Sequence, residues 1–490
     1  MERKTNSIKK WIAGIVVIIV ILAVSYVCIL YTQKQNTEKP KRLMDTEFSA
    51  DSKIRIDNLN SIQEENLYKL AKVWGFVKYR HPSITNGDVN WDMELFRVMP
   101  GMLEAKTQEE AQNCMVKWLN QFPFEIPEVN EEYQPLLTIL DQRVILEADQ
   151  SWIEDKSLLG IDLSSYLKKL NKVMVLDTSK AYAVFPNKDI RVKMEAESSY
   201  SRMKPDDSGL RLLSLFRYWN IIEYFYPYKD IIEEDWDQVL HKMIPIFLQG
   251  KDQLSYVLAA SELTTLIHDS HAFFRDSQHV LDEYFGTYMP AVEFLNIDGD
   301  IVISKVAPQN TTKNIPLRPG DIVLSMDEVS IKDRIENCSK YLSLSDKDRF
   351  VNVFSKALLG TKSQVVEMEI LRDDEKMTIT VPCTNKRQLL SGNEGSELIE
   401  NGRIGYINPG TLKKHQIDKL MKEFQDTEGL IVDLRNYPSD FIVHSLAEYL
   451  IPEITPFAKF GFCNPLIPGS FTTSDLQSSG SGLMKMMDPS

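Results

Sequence analysis

"GLIVDLRNYP", residues 429–438, is the stretch on which the fold turns. The uncharged run Gly429 to Val432 is followed by Asp433-Leu434-Arg435 and closes on Asn436-Tyr437-Pro438. A short apolar run with glycine before it and Asn and Pro after it predicts a buried-type strand ending in a turn. "RIGYINPG" (403–410) has the same form. Helices are expected between the two, over 415–426, and beyond the second, over 441–451. Strand, helix, strand, helix indicates an α/β layer, so residues 398–490 are expected to form an α/β domain.

Working towards the N-terminus, the period changes. "AVEFLNIDGDIVISKVAP" (291–308) sets two alternating apolar runs about Asp298-Gly299-Asp300, the pattern of a hairpin. "LRPGDIVLSMDEVSI" (317–331) is a Pro-Gly-Asp turn leading into a strand and another turn. After a helical stretch near 333–357, "VVEMEILRDDEKMTITVPC" (365–383) gives two more strands about an acidic turn. Residues 286–385 are therefore expected to form a small β-rich module.

Earlier still lies an internal repeat. "LAKVWGFVKYRHP" (70–82) and "LFRYWNIIEYFYP" (215–227) align without gaps at an offset of 145. At the same offset Trp91-Asp92 matches Trp236-Asp237, Leu95 matches Leu240, and Pro100 matches Pro245. Each copy predicts a helix stopped by proline, then a loop, then a helix opening at Trp-Asp. Aromatics at helical spacing are read as core rather than as a ligand cage. The expected helical region is 56–285, with repeats at 70–100 and 215–245.

At 490 residues, 43% hydrophobic and 26% charged, the chain has the make-up of a folded protein of several domains. A net charge of −14 without a basic stripe excludes a nucleic-acid holder. The cysteines show no CxxC spacing, so neither a zinc ribbon nor a redox pair is indicated. "WIAGIVVIIVILAVSYVCILY" (11–31) is uncharged and as a helix would span ~30 Å, a bilayer's hydrocarbon core. Arg3, Lys4, Lys9 and Lys10 precede it. The expectation is a single-pass anchor with residues 1–10 cytoplasmic, 32–55 a linker, and the bulk of the chain extracytoplasmic. A cleaved signal peptide is the competing reading, but the apolar run is long and no small-x-small site follows it.

Among the chemistry-bearing stretches, "LTTLIHDSHAFF" (263–274) stands out, since it holds two of the chain's seven histidines. An apolar, helix-spaced run ends there and sets out His268, Asp269, Ser270 and His271. Three readings are open for His271: a general base, a structural or capping histidine, or a metal ligand with His268 and Asp269 or His279. No HExxH or other ligand pattern is present, and no metal or cofactor is expected. His268 is read as a surface residue.

Taken in order, these motifs resemble the tail-specific (C-terminal processing) proteases and the tricorn core protease. The helical region ending in "DSHA", the Gly-Asp-x-Ile of "LRPGDIVLSMDEVSI", the strand "IGYINPG" and the strand and turn "GLIVDLRNYP" each match a part of that family. The resemblance covers roughly 60–490. Together with the transmembrane helix and the duplicated helical region read above, it gives an expected α/β multidomain fold, in which the resemblance implies the PDZ-like module and part of a ClpP/crotonase-like catalytic domain. The resemblance implies a serine-type peptidase acting on proteins or peptides, which with the expected anchor would be membrane-bound and act on extracytoplasmic substrates. Ser270-His271-Ala272 matches the branch in which histidine is the general base, with Ser270 orienting it. Asp433 and Arg435 would hold the turn after the central strand.

Two departures from the family follow. Ser439-Asp440 stand where the oxyanion turn has glycines. No match to the family's nucleophile motif occurs after Pro438, while Ser474 and Ser478 fall in what reads as a flexible tail. The chain is therefore expected to be C-terminally truncated before its serine. The alternative is a catalytically inactive, membrane-anchored peptide-binding protein.

Overall fold

The structure, a computed structural model, describes residues 39–129, 131–134, 137–138, 143–185, 192–275, 278–307, 315–345, 352–386, 395–434 and 437–480.

The helical region is built on α1 (Ser61–Lys78), α2 (Trp91–Glu104), α3 (Gln108–Leu119), α4 (Lys156–Leu170), α5 (Ser208–Phe225), α6 (Trp236–Leu248) and α7 (Gln253–Thr265). Asn60 opens α1 with a capping box: its side chain accepts from the Gln63 N–H, and the Gln63 side chain accepts from the Asn60 N–H. Within each repeat the two helices are tied by the same reciprocal bond. The Trp74 indole donates to the Trp91 carbonyl at 2.9 Å and Trp91 returns a bond to Trp74 at 2.9 Å. Trp219 and Trp236 do the same at 2.7 and 3.1 Å. Indole N–H groups can be buried only with an acceptor, and here each repeat supplies its own.

The two copies pack about a local pseudo-twofold. α1 meets α5 where Gly75 lies against Asn220, positions that match in the repeat. Around that crossing the ion pairs are exchanged. Lys72 of the first copy bonds Asp237 of the second at 2.8 Å, and Arg217 of the second bonds Asp92 of the first. Lys72 matches Arg217 and Asp92 matches Asp237 in the alignment. The matched rings Tyr79 and Tyr224 also touch, 5.9 Å between centroids.

Strands begin with β1 (Val144–Leu146) and continue in the β-rich module as β2 (Tyr288–Pro290), β3 (Val292–Ile297), β4 (Asp300–Val306), β5 (Ile322–Met326), β6 (Val329–Ser330), β7 (Val365–Arg372) and β8 (Glu375–Asn385). Their order is β2-β8-β7-β5-β4-β3, with β6 on β5, and every ladder is antiparallel. The β3–β4 loop is Asp298-Gly299, both at positive φ, and the β7–β8 loop is Asp373-Asp374, likewise. Two-residue loops of that conformation match strand twist and fix the register. α8 (Ile331–Tyr341) and α9 (Asn352–Leu358) complete the module, and α8 packs on α7 of the helical region.

The last segment holds β9 (Glu397–Ile399), β10 (Ile404–Ile407), α10 (Ile417–Glu423), β11 (Gly429–Val432) and α11 (Val443–Leu450). β10 and β11 run parallel, Ile404 opposite Gly429 through Ile407 opposite Val432, with α10 between them in sequence. Ile407, Ile417, Met421, Phe424 and Leu446 form a small core there. β12 (Thr455–Ala458), β13 (Gly461–Cys463), β14 (Phe471–Thr473) and β15 (Gln477–Ser479) follow.

Three expectations are corrected. The first is the fold class. Among the described residues β10–β11 is the one parallel pair, and the fold is one of helices with several antiparallel sheets. Two-residue loops can join only antiparallel strands, and β3–β4, β5–β6 and β7–β8 are joined that way. The second is the transmembrane helix and the single-pass placement built on it. No helix among the described residues is long and apolar enough to cross a membrane. The 18-residue α1 and α5 carry Lys69, Lys72 and Lys78, and Arg211, Arg217 and Glu223, and bury against protein. Residues 11–31 themselves lie outside the described residues. The third is the flexible tail. β14 pairs with β13 and β1, and Phe471, with no exposed surface, belongs to the core of the helical region.

Candidate functional site

α7 opens on Asp252, whose side chain accepts from the Ser255 N–H, and buries Val257, Ala260 and Leu263 before ending at Leu266. Beyond it the residues of the His-Asp-Ser-His turn face different partners. His268 takes a left-handed φ of 49°, unusual for a side chain with a Cβ, and its Nε2 pairs with both oxygens of Glu234 at 3.0 Å. The backbone then doubles back, and the Ala272 N–H donates to the Asp269 carbonyl at 2.8 Å.

That turn brings Asp269 under His271. Asp269 Oδ1 accepts from the His271 backbone N–H and from Nδ1, each at 2.9 Å. An ionised carboxylate only accepts, so Nδ1 carries the proton, and in the neutral ring the lone pair is on Nε2. The imidazole is 84% exposed, so that lone pair is open to a reacting group. Tyr226 also reaches Asp269. Burial, with the Asp269 charge and its bond to the phenol, pushes the Tyr226 hydroxyl up to about 12.

Ser270 turns to the β-rich module. Its Oγ lies 2.7 Å from Ser345 Oγ and accepts from the Ser345 N–H at 2.9 Å. The group bonded to the His271 ring is therefore Asp269, while Ser270 is engaged with Ser345. In sequence Asp269 stood beside His271, but its part depends on the left-handed backbone at His268. Ser345 gave no signal at all.

The turn after β11 is occupied by its own bonds. The Ser439 N–H donates to Pro409 O at 2.9 Å and its hydroxyl to Leu412 O at 2.8 Å. The Asp440 carboxylate accepts from the Lys414 N–H at 3.1 Å and the Phe441 N–H at 2.8 Å, and these donors hold its carboxyl below the usual range. Asp433 is buried, accepts from the Tyr406 hydroxyl at 2.5 Å, and gives its N–H to Ile407 O. Arg435 lies outside the described residues. Ser474 donates to Asp475 O and accepts from the Phe460 N–H, and Ser478 sits in β15 opposite Pro456.

His279 pairs with Asp282 at 3.0 Å, and His268 with Glu234. Among the described residues no group of three His, Cys, Asp or Glu side chains could hold a metal ion. A cavity of about 460 Å³ opens between residues 43–50 and 198–202, lined by Asp45, Ser49, Asn90, Met93 and Tyr200 among others, and none of the expected site residues lines it.

No family model matches this chain, and no curated protein matches it. Solved structures similar to it include mature CPAF, with a TM-score of 0.37 and 13% identity over 51% of this chain and 60% of that one. CPAF complexed with lactacystin gives 0.37 and 14%, over 51% and 61%. The photosystem II D1 C-terminal processing protease gives 0.28 and 16%, over 56% and 71%. The chain thus spans about 60% of the length of the CPAF structures it matches.

Proposed function

We propose that this protein is a serine-type peptidase acting on polypeptides, with His271 as general base and Asp269 as the group that fixes its tautomer. The observation that carries the reading is the 2.9 Å bond from Asp269 Oδ1 to His271 Nδ1 beneath an exposed ring. An imidazole held this way takes the proton of a serine hydroxyl at Nε2 as that hydroxyl attacks a carbonyl, and returns it to the leaving amine. The carboxylate beneath stabilises the imidazolium formed in between. The motifs around Gly320, Gly405 and Gly429 that resemble the tail-specific proteases favour polypeptide substrates. β3, at an end of the module's sheet, could receive an extended segment as an added strand.

Ser439 and Ser474 are not offered as nucleophiles, because both hydroxyls are held by backbone groups. A second reading, a protein that holds peptides without cleaving them, is favoured by the engagement of the Ser439 N–H with Pro409 O. One experiment separates the two: fluorophosphonate labelling of the native protein beside a peptide-hydrolysis assay. On the first reading the protein labels and cleaves. His271→Ala and Asp269→Asn then each lower kcat by about 10²–10⁴-fold with the thermal melt unchanged. Peptide binding with neither labelling nor turnover would establish the second reading.

A further inference from the structure

We infer that Ser345 is a positioning residue for the Asp269–His271 pair, anchoring from the β-rich module the turn that carries both. The inference rests on the reading of His271 as general base and adds to it the element that holds the base in place.

Asp269 and His271 are separated by one residue, Ser270, so the torsions of Ser270 set how the carboxylate and the imidazole face one another. The turn has few internal restraints: the Asp269 bonds to His271 and the Ala272 N–H to Asp269 O. It also contains the left-handed His268, a conformation that persists only where surroundings impose it. Two outside contacts do so. Glu234, in the loop of the second repeat, grips His268. Ser345 grips Ser270 with two bonds, one from its backbone and one through its hydroxyl.

The Ser345 end is itself fixed. It follows α8, which packs on α7 of the helical region. Lys340 on α8 reaches the largely buried Glu262 of α7 at 3.7 Å, and Lys242 reaches the same carboxylate at 3.3 Å. The helix that ends at the site is thus the helix on which the module is seated. Ser270 is the point at which the module touches the turn, and the exposed ring of His271, bonded to Asp269 alone among the described residues, depends on that point for its direction.

The readout is the His271 tautomer, followed by 15N NMR of the imidazole in the full chain. In the wild type a single Nδ1–H form is expected, because Asp269 accepts that proton. Ser270→Ala removes both bonds to Ser345 and should give a mixture of Nδ1–H and Nε2–H forms. Ser345→Ala keeps the backbone donor and should give a smaller admixture. Where turnover is measured, both variants should lower kcat, Ser345→Ala by about tenfold, with KM and the melting temperature unchanged. A wild-type tautomer population in Ser270→Ala overturns the inference. Should that variant fail to fold, an unchanged tautomer in Ser345→Ala overturns it equally. A shifted tautomer in a protein whose turnover ignores His271→Ala would support the positioning role while refuting the peptidase reading.

Discussion

Tyr226 and His81 occupy the same place in the two repeats, 145 residues apart, and the fold has put them to opposite uses. Tyr226 is half-buried and reaches Asp269 beside the candidate base. His81 is fully buried, its Nε2 bonded to Phe122 O at 3.0 Å and its Nδ1 accepting the Ser83 N–H at 3.2 Å. That bonding needs a neutral ring with one N–H, and burial lowers the His81 pKa from 6.5 to about 4. The sign follows from proton counting. Between pH 6.5 and about 4 the unfolded chain binds a proton at this residue and the folded chain does not, so stability falls as pH drops through that window. The expected loss is about 3 kcal/mol, complete once the folded ring also protonates. Urea unfolding of the wild type and of His81→Gln at pH 7 and pH 4.5 isolates it, because carboxylate effects are common to both. Equal pH losses in the two proteins would show that His81 titrates freely.

Between elements, the crossing of α1 and α5 is set by Gly75. A methyl group there would collide with the Asn220 side chain, whose amide is already committed to Ala71 O at 3.1 Å and Phe216 O at 2.8 Å. Helix propensity alone would make Gly75→Ala stabilising by about 1 kcal/mol. Overpacking at a crossing typically costs about 1–3 kcal/mol, so a net destabilisation is expected. Thermal unfolding gives the sign, and Asn220→Ala in the same chain should relieve part of the loss if the collision is its cause. At this scale the sequence was legible in places and silent in others. The repeat showed because Trp and Pro are rare enough to align, and the hairpins showed because Asp-Gly and Asp-Asp loops carry their turn type. The exchange of Lys72 and Arg217 between copies was hidden, since periodicity tells which face of a helix is buried but not which helix covers it. The site divides the same way. His271 was visible as a polar residue after an apolar run, whereas the bond from Asp269 needed the φ of His268, and Ser345 lies 75 residues from Ser270.

In the molecule as a whole, the chain returns at its far end to its first domain. The stretch from Phe471 onward reads as tail because it is rich in Ser and Gly, yet Phe471 is buried, as are Cys463 and Leu466 just before it. Tyr224 O accepts the Gly469 N–H at 2.9 Å, and Leu466 O accepts the Val175 N–H at 3.0 Å. Arg80, buried between the rings of Phe76 and Tyr224, donates to Pro468 O at 2.5 Å. A buried guanidinium needs such an acceptor, so the turn that follows α1 and this late segment require one another. Composition could not show this, because a strand three residues long is recognised by its neighbours and not by its own pattern. Phe471→Ala tests the dependence. Removing a fully buried ring costs about 3–5 kcal/mol where the surroundings cannot collapse into the space. The protein carries its own reporter for the effect: apart from Trp11, the other six tryptophans fall from Trp74 to Trp236, so their emission follows the helical region. A drop of that size in denaturant stability, read by tryptophan emission from residues more than two hundred positions away, would mean that the helical region and the C-terminal strands unfold as one unit. A loss under about 1 kcal/mol would mean that β14 rests on the helices without sharing their core.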